Sequence, residues 1–242
     1  MMQDYSNLLF NETLDEPVTE WLEKNVYLSR EVSPNAAGNL SLKGQPWMKQ
    51  ILESILDPRI QEINLVFGAQ TGKTLILLLA YMLLSRFQPN PCLIGLSTDP
   101  LADRLVKQRL LPLLKTNEWW KEKLPPENQG QESMILFPAM KTFYTGARTA
   151  DKLASMPAAI LLLDEVSKWR SGTVKEAHPY FLVKERTKSF ANHKIISAST
   201  PADEEEIFWQ EYLHSSQSHY FMFCPHCGKE FEFVFSAQTV QW

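Results

Sequence analysis

Residues 67–74 form a glycine-rich segment, FGAQTGKT, between a predicted strand and a predicted helix. The backbone N–H groups of such a turn point inward and bind phosphate oxygens, helped by the helix N-terminus. In this pattern Lys73 neutralises the β- and γ-phosphates of a nucleotide, and Thr74 holds Mg²⁺. Phe67 stands where the full pattern has glycine, so the loop is a variant. The predicted nucleotide-binding residues are Gly68, Ala69, Gln70, Thr71, Gly72, Lys73 and Thr74.

A pair of carboxylates, Asp164 and Glu165, directly follows the apolar run Ala159–Leu163. A continuous apolar run is typical of a central parallel strand, and α/β sheets bind ligands at the carboxyl ends of such strands. Asp164 suits Mg²⁺ coordination, and Glu165 suits the base that deprotonates an attacking water. Together with the glycine-rich loop, the pair predicts that ATP is bound and hydrolysed.

Hydroxyl side chains follow the next apolar strand, in the segment Ser197-Ala198-Ser199-Thr200-Pro201. At that point Ser199 and Thr200 can hydrogen-bond a γ-phosphate or the attacking water. A simple strand-to-helix cap is the alternative interpretation.

Two cysteines, Cys224 and Cys227, have the C-x-x-C spacing of a zinc-binding turn. A structural zinc site needs four ligands, and His226 is only a poor third one. Partial or absent occupancy is therefore expected within residues 1–242. Cys92 lies in a predicted strand and is interpreted as a core residue.

Strands and helices alternate along most of the chain, which predicts an α/β fold with a parallel sheet between helices. The predicted strands are Glu62–Phe67, Cys92–Ser97, Met134–Phe137, Lys141–Thr145, Ala159–Leu163 and Lys194–Ser199. The predicted helices are Val18–Asn25, Pro46–Leu56, Lys73–Phe87, Leu101–Leu114 (bent at Pro112), Val174–Lys188 and Ala202–His214. We divide the chain into an acidic lead-in (1–45), an ATPase core (46–215) and a β-hairpin carrying the C-x-x-C turn (216–242).

Composition excludes several classes of protein. With 44% hydrophobic and 21% charged residues the chain is not disordered, and a net charge of −4 argues against coating nucleic acid by bulk charge. Three cysteines are too few for a disulfide scaffold, which favours a reducing compartment. The longest apolar run, Leu75–Leu84, is far shorter than the roughly 20 residues that cross a bilayer, so no membrane association is expected.

These segments, in this order, resemble the large terminase subunits of tailed bacteriophages, in the lambda-like branch. The resemblance covers about 220 residues and is carried by EWLEKNVYLSREVS, Pro46-Trp47, GAQTGKT, TGARTADKLASMPAAILLLDE, SASTP and CPHCG. It implies an ASCE-type P-loop NTPase, a three-layer sandwich with a mainly parallel central sheet, plus a small C-terminal β-hairpin.

The resemblance implies a motor that hydrolyses ATP with Mg²⁺ and pumps double-stranded DNA into a procapsid. It implies a ring on the portal, a small terminase subunit as partner, the host cytoplasm as location and Zn²⁺ in the full-length protein. A nuclease domain is expected to lie outside this chain. By motif, Lys73 and Glu165 are catalytic, Thr74 and Asp164 bind Mg²⁺, and Ser199 and Thr200 belong to the coupling motif.

Two departures from the family pattern concern nucleotide contacts. Many members have an arginine inside the phosphate loop, where this chain has Ala69 or Gln70. We expect Arg148 to supply the catalytic arginine, with Arg104 and Arg109 as other candidates, and any of them could act in a neighbouring subunit. Members of the family commonly have a glutamine upstream of the phosphate loop that recognises adenine. In this chain Gln45 and Gln50 flank Pro46-Trp47-Met48, and neither stands at the expected position.

A basic stretch follows the acidic pair. Lys168, Trp169 and Arg170 begin this stretch and are the predicted DNA contacts, because phosphates dominate affinity for DNA. A solvated helix face is the alternative. Two further functions remain open: a helicase-like DNA-dependent ATPase, and a nucleotide-binding docking module that does not hydrolyse ATP.

Overall fold

The computed structural model describes residues 14–33, 37–125, 133–137, 139–148, 156–170, 177–201 and 203–232. Its centre is a six-stranded sheet with the order β3-β8-β7-β4-β6-β5. All neighbouring strands are parallel except β5, which runs antiparallel to β6. The strands are β3 (Glu62–Val66), β4 (Cys92–Leu96), β5 (Met134–Phe137), β6 (Met140–Gly146), β7 (Ile160–Asp164) and β8 (Lys194–Ser199). The predicted mainly parallel sheet is therefore confirmed.

Helices connect the strands and cover the sheet. They are α1 (Val18–Asn25), α2 (Met48–Ile55), α3 (Lys73–Phe87), α4 (Asp99–Leu105), α5 (Leu111–Thr116), α6 (Glu118–Lys123), α7 (Pro179–Lys184) and α8 (Ile207–Leu213). Helix α3 follows β3 and is buried from Ile76 to Ser85, as its nearly continuous apolar sequence predicts. A two-stranded ribbon, β1 (Tyr27–Leu28) with β2 (Gly38–Asn39), lies between α1 and α2.

The two faces of the sheet bury two separate hydrophobic clusters, which gives the three-layer sandwich. In β7, Ile160 and Leu162 join the cluster that contains α1, α2 and α3. Leu161 and Leu163 join the cluster on the opposite face, together with Phe208 of α8. Alternate residues of a strand point to opposite faces, so a strand buried on both sides must be apolar throughout.

Several helices are shorter or less regular than the sequence predicts. The predicted helix over Leu101–Leu114 consists of α4, a π-helical segment (Val106–Leu110) and α5, and the irregularity precedes Pro112. Proline lacks the N–H that a regular helix would use at that position. Of the predicted helix over Val174–Lys188, residues 174–176 lie outside the described residues, and α7 spans only Pro179–Lys184.

A separate antiparallel hairpin pairs β9 (Phe221–Phe223) with β10 (Glu230–Glu232). It confirms the predicted small C-terminal hairpin around the CPHCGK turn. Phe231 lies opposite Met222 in the ladder. Residues 233–242, the rest of the segment assigned to the predicted hairpin, lie outside the described residues.

Candidate nucleotide-binding site

The glycine-rich loop leaves β3 and turns directly into α3. Gly72 has φ = 97°, a left-handed conformation that favours glycine, and Gln70 has φ = 58°. A Cβ atom on Gly72 would lie 2.2 Å from Met48 Cε, so the end of the Met48 side chain would have to shift to make room for it. The Trp47 indole donates a hydrogen bond to Thr71 O (3.2 Å). The segment before α2 therefore packs directly against the phosphate loop.

The Lys73 ammonium lies over the loop that precedes its own helix. It donates to Gly68 O (2.9 Å) and to Thr200 Oγ1 (2.8 Å). The Thr200 hydroxyl in turn donates to Phe67 O (2.7 Å). The lysine predicted to bind phosphate and the hydroxyl predicted to follow β8 thus belong to one hydrogen-bonded group.

Thr74 and Asp164 come together although 90 residues separate them in the chain. Thr74 Oγ1 donates to Asp164 Oδ2 at 2.8 Å. Asp164 is only 4% exposed, and its burial raises the pKa of the carboxyl while the Thr74 hydrogen bond opposes that rise. A hydroxyl and a carboxylate are the hard oxygen ligands that Mg²⁺ prefers, so this donor set fits the ion.

Glu165 follows Asp164 in a left-handed backbone conformation, with φ = 54°. This conformation is costly for a residue other than glycine and clusters at functional sites. The Glu165 N–H donates to Asp164 Oδ1 (2.9 Å), and Glu165 Oε1 pairs with Lys168 Nζ (2.8 Å). A 3₁₀ turn, Val166–Lys168, connects the two ends of that ion pair.

Side chains from β8 and from Trp169 anchor this 3₁₀ turn. Ser199 Oγ accepts a hydrogen bond from Ser167 N (3.0 Å), and Ser199 is 1% exposed. Trp169 Nε1 donates to Asp164 O (3.1 Å). Ser199 and Thr200 therefore contact the two halves of the site, the acidic turn and the phosphate loop respectively.

The DNA-contact prediction is wrong for one of its three residues. Trp169 is 2% exposed and belongs to the hydrophobic core. Its ring packs so closely on β4 that a Cβ atom on Gly95 would lie 2.8 Å from it. A side chain buried in this way cannot stack on DNA. Lys168 and Arg170 are both exposed, so their accessibility is compatible with phosphate contact.

The three candidate arginines lie in different surroundings. Arg148 is exposed and lies two residues after the end of β6. The N–H of the residue between them, Ala147, donates to Leu96 O (2.7 Å) and so extends the pairing of β6 with β4. Arg104 is exposed on α4. Arg109 is half-buried in the π-helical segment and donates to Val32 O (3.1 Å). Burial lowers the pKa of Arg109, and the negative charge of Asp164 partly offsets that decrease.

The C-x-x-C turn brings its two cysteines to one point. Backbone N–H groups of Cys227 and His226 hydrogen-bond the Cys224 sulfur and lower the pKa of its thiol, as does the Cys227 side chain. Within the described part of the chain, no group of three or more His, Cys, Asp or Glu side chains is placed to hold a metal ion. Cys92 is buried in β4, as its interpretation as a core residue requires.

Comparisons with known proteins identify the family of this chain. Residues 35–242 match the family model described as phage terminase large subunit gpA, ATPase domain. The chain belongs to this family.

Relatives and solved structures extend the comparison. The chain is 26% identical over 228 residues to the large terminase subunit of Escherichia phage lambda, covering 89% of this chain and 34% of that protein. It is 24% identical over 221 residues to that of Enterobacteria phage P21, covering 87% and 34%. The chain thus spans about a third of the length of these relatives.

Among solved structures, the HK97 bacteriophage large terminase superposes with a TM-score of 0.61 at 14% identity, covering 82% of this chain and 41% of that one. The ATPase domain of the Thermus phage P74-26 large terminase gives 0.52 at 13% identity, covering 74% and 75%. These similarities confirm the terminase ATPase fold. None of the described helices has the length and apolar character that a membrane span requires.

Sequence reasoning missed several residues that support the candidate nucleotide-binding site. Asp99, at the start of α4, accepts hydrogen bonds from Gly146 N (2.7 Å) and Thr145 Oγ1 (3.0 Å) and so fixes the chain just before Arg148. Met48 and Gln45 lie against Gly72, although neither was expected to contact the phosphate loop. The Pro46-Trp47 pair just before α2 was the one local signal for this contact.

Proposed function

We propose that this chain is the ATPase motor domain of a DNA-packaging terminase. It binds ATP with Mg²⁺, hydrolyses it and uses the energy to move double-stranded DNA into a procapsid in the host cytoplasm. The observation that carries the proposal is the 2.8 Å contact of Thr74 Oγ1 with Asp164 Oδ2, because it joins the phosphate loop to the acidic strand.

In this proposal each side chain of the site has one task. The loop N–H groups bind the α- and β-phosphate oxygens, and Lys73 exchanges Gly68 O and Thr200 Oγ1 for the β- and γ-phosphates. Thr74 and Asp164 hold Mg²⁺, which neutralises charge on the transferred phosphoryl group when bound. Glu165 accepts the proton of the attacking water. Ser199 and Thr200 sense the γ-phosphate, since they contact both halves of the site.

Arg148 is proposed to stabilise transition-state charge in a neighbouring copy. Its side chain is exposed, and it follows a strand end that Asp99 holds firmly. An arginine supplied by a second subunit raises the rate of phosphoryl transfer by several orders of magnitude. This role requires a ring, which we propose assembles on the procapsid portal with the small terminase subunit.

Two contacts outside the nucleotide site complete the proposal. Exposed Lys168 and Arg170 contact DNA phosphates. Cys224 and Cys227 supply two of four zinc ligands in the full-length protein, because hydrogen bonds from the turn favour the Cys224 thiolate that zinc requires.

The test is a Mg²⁺-ATP hydrolysis assay of the chain over a wide range of protein concentration, with nucleotide binding measured in parallel. Glu165→Gln is expected to keep ATP binding and to lose turnover by about 10²–10⁴-fold. Lys73→Ala is expected to lose ATP binding as well as turnover. If Lys73→Ala binds ATP as well as the wild type, the phosphate-loop assignment is wrong and the docking-module interpretation takes its place.

A DNA assay separates the motor from a helicase-like enzyme. A packaging ATPase is expected to hydrolyse ATP faster with double-stranded DNA and to protect DNA from nuclease in the presence of procapsids, without separating strands. Strand separation without packaging would favour the helicase-like alternative.

A further inference from the structure

The Glu165 carboxylate is held by a cation from its own turn. Glu165 Oε1 lies 2.8 Å from Lys168 Nζ. Glu165 is the residue that precedes the 3₁₀ turn Val166–Lys168, and Lys168 is the last residue of that turn, so the ion pair closes across the turn. The Lys168 N–H also donates to Glu165 O (2.8 Å), which fixes the backbone between them.

This ion pair opposes the chemistry expected of Glu165. A general base must offer a carboxylate oxygen to the attacking water. An ammonium group is a donor only and cannot take the proton in place of the carboxylate. While Lys168 occupies Oε1, Glu165 is therefore less available to the water.

The backbone around the pair is anchored at both ends, so only the side chains need to move. Ser199 Oγ accepts from Ser167 N, and the buried Trp169 indole donates to Asp164 O. The Lys168 side chain, in contrast, is 66% exposed, and that of Glu165 is 34% exposed. Lys168 can exchange Glu165 for another anion without a change in the turn.

We propose that Lys168 is a positioning residue that holds Glu165 in a resting ion pair, and that a DNA backbone phosphate releases Glu165 by taking the Lys168 ammonium. Exposed Arg170, two residues further on, adds a second positive charge that attracts the same polyanion. The inference rests on the proposed role of Glu165 as the base. The rate of ATP hydrolysis then responds to DNA, because the Lys168 side chain pairs either with Glu165 or with a DNA phosphate.

The expected effect is modest because the pair is exposed to solvent. Exposed ion pairs change an equilibrium by a factor of about two to five. Removing Lys168 should therefore raise turnover without DNA by about two- to fivefold and reduce stimulation by DNA by the same factor.

The experiment compares steady-state hydrolysis by the full chain with and without double-stranded DNA for wild type, Lys168→Gln and Lys168→Arg. Lys168→Gln should raise kcat in the absence of DNA and leave the KM for ATP unchanged. Lys168→Arg keeps a cation within reach of Glu165 and should restore the low rate. A matched control is Lys188→Gln, since Lys188 and Glu185 form an exposed ion pair at 2.5 Å with the same three-residue spacing at another 3₁₀ turn. The control should match the wild type in both conditions.

Two outcomes overturn the inference. If Lys168→Gln has wild-type or lower kcat without DNA, Lys168 does not restrain Glu165 and acts as a DNA contact or not at all. If Lys188→Gln raises kcat equally, the effect is one of net charge. Glu165→Gln distinguishes these failures from failure of the proposed function, because wild-type turnover in that variant would remove Glu165 from the chemistry altogether.

Discussion

Lys73 Nζ donates a hydrogen bond to Thr200 Oγ1 at 2.8 Å, across 127 residues of sequence. The lysine expected to bind phosphate thus has a partner in the segment that follows β8. Gly68 O and Thr200 Oγ1 occupy two of the three N–H donors of Lys73, so a phosphate group that binds the ammonium competes with Thr200 for it. Nucleotide binding and the conformation of residues 199–200 are therefore linked through a single ammonium group.

This link predicts the behaviour of Thr200→Val. The variant keeps the shape of the side chain but removes the hydroxyl that holds Lys73. ADP has no γ-phosphate for Thr200 to contact, so losing the competing partner should tighten ADP binding by about two- to tenfold. Isothermal titration calorimetry measures the change, with Thr200→Ser as the control that keeps wild-type affinity. Weaker ADP binding by Thr200→Val would contradict the link.

Gly146→Ala should destabilise the domain strongly. A Cβ atom there would lie 2.2 Å from Asp99 N and 2.3 Å from Thr98 C, and these backbone atoms cannot move aside. The expected loss is about 3 kcal/mol or more of unfolding free energy, measured by urea denaturation. Gly44→Ala is the matched control, since nothing lies within 4 Å of its Cβ position. Equal stability of the two variants would mean that the Asp99 contact with β6 is not formed.

His178 should make stability depend on pH. Its Nδ1 accepts a hydrogen bond from Tyr180 N (3.3 Å) at the start of α7, and its Nε2 lies 3.2 Å from Trp169 O. Burial lowers the pKa of His178 below its usual 6.5, with the Trp169 carbonyl opposing and Arg170 adding to the decrease. The unfolded chain therefore binds the proton first as pH falls below about 6.5, and the native state loses stability from there downwards.

The His178→Asn variant isolates this effect. Asparagine caps a helix without titrating, so the variant should lose less stability between pH 7 and pH 5 than the wild type in urea denaturation. His214→Asn, at an exposed position, should keep the wild-type slope. If the free energies of unfolding of the wild type and of His178→Asn decrease equally between pH 7 and pH 5, His178 is not the titrating group.

Arg148 is predicted to act on the neighbouring copy, and mixing two inactive variants tests this role. Arg148→Ala retains Glu165, and Glu165→Gln retains Arg148. In a mixed assembly, the second variant can supply its arginine to the intact site of the first, so ATP hydrolysis should reappear on mixing to at least a tenth of the wild-type rate. Without recovery on mixing, Arg148 would have to act within its own subunit or not in catalysis.

Local sequence pattern was enough to predict the sheet and to predict that the candidate site residues lie at one edge of it. Ile160–Leu163 is apolar throughout and is buried on both faces, as a covered parallel strand requires, and the neighbouring strand Lys194–Ser199 is buried along its whole length. Because parallel strands end at the same edge, Asp164, Thr200 and the loop before Lys73 had to lie close together. The 2.8 Å contact between Thr74 and Asp164 is the result.

Tertiary structure alone decided what surrounds those residues. The type of residue 165 does not specify its positive φ, nor does the local sequence specify that Lys168 pairs with Glu165 and that Trp169 is buried in the core. The requirement for glycine at residue 146 comes from the backbone at Thr98 and Asp99, which is distant in sequence. Hydrophobic periodicity reports which face of an element is buried, whereas these contacts depend on backbone angles at strand ends and on atoms from other segments. The sequence therefore determined which groups are available for the proposed chemistry, and only the folded chain determined which neighbours restrain them.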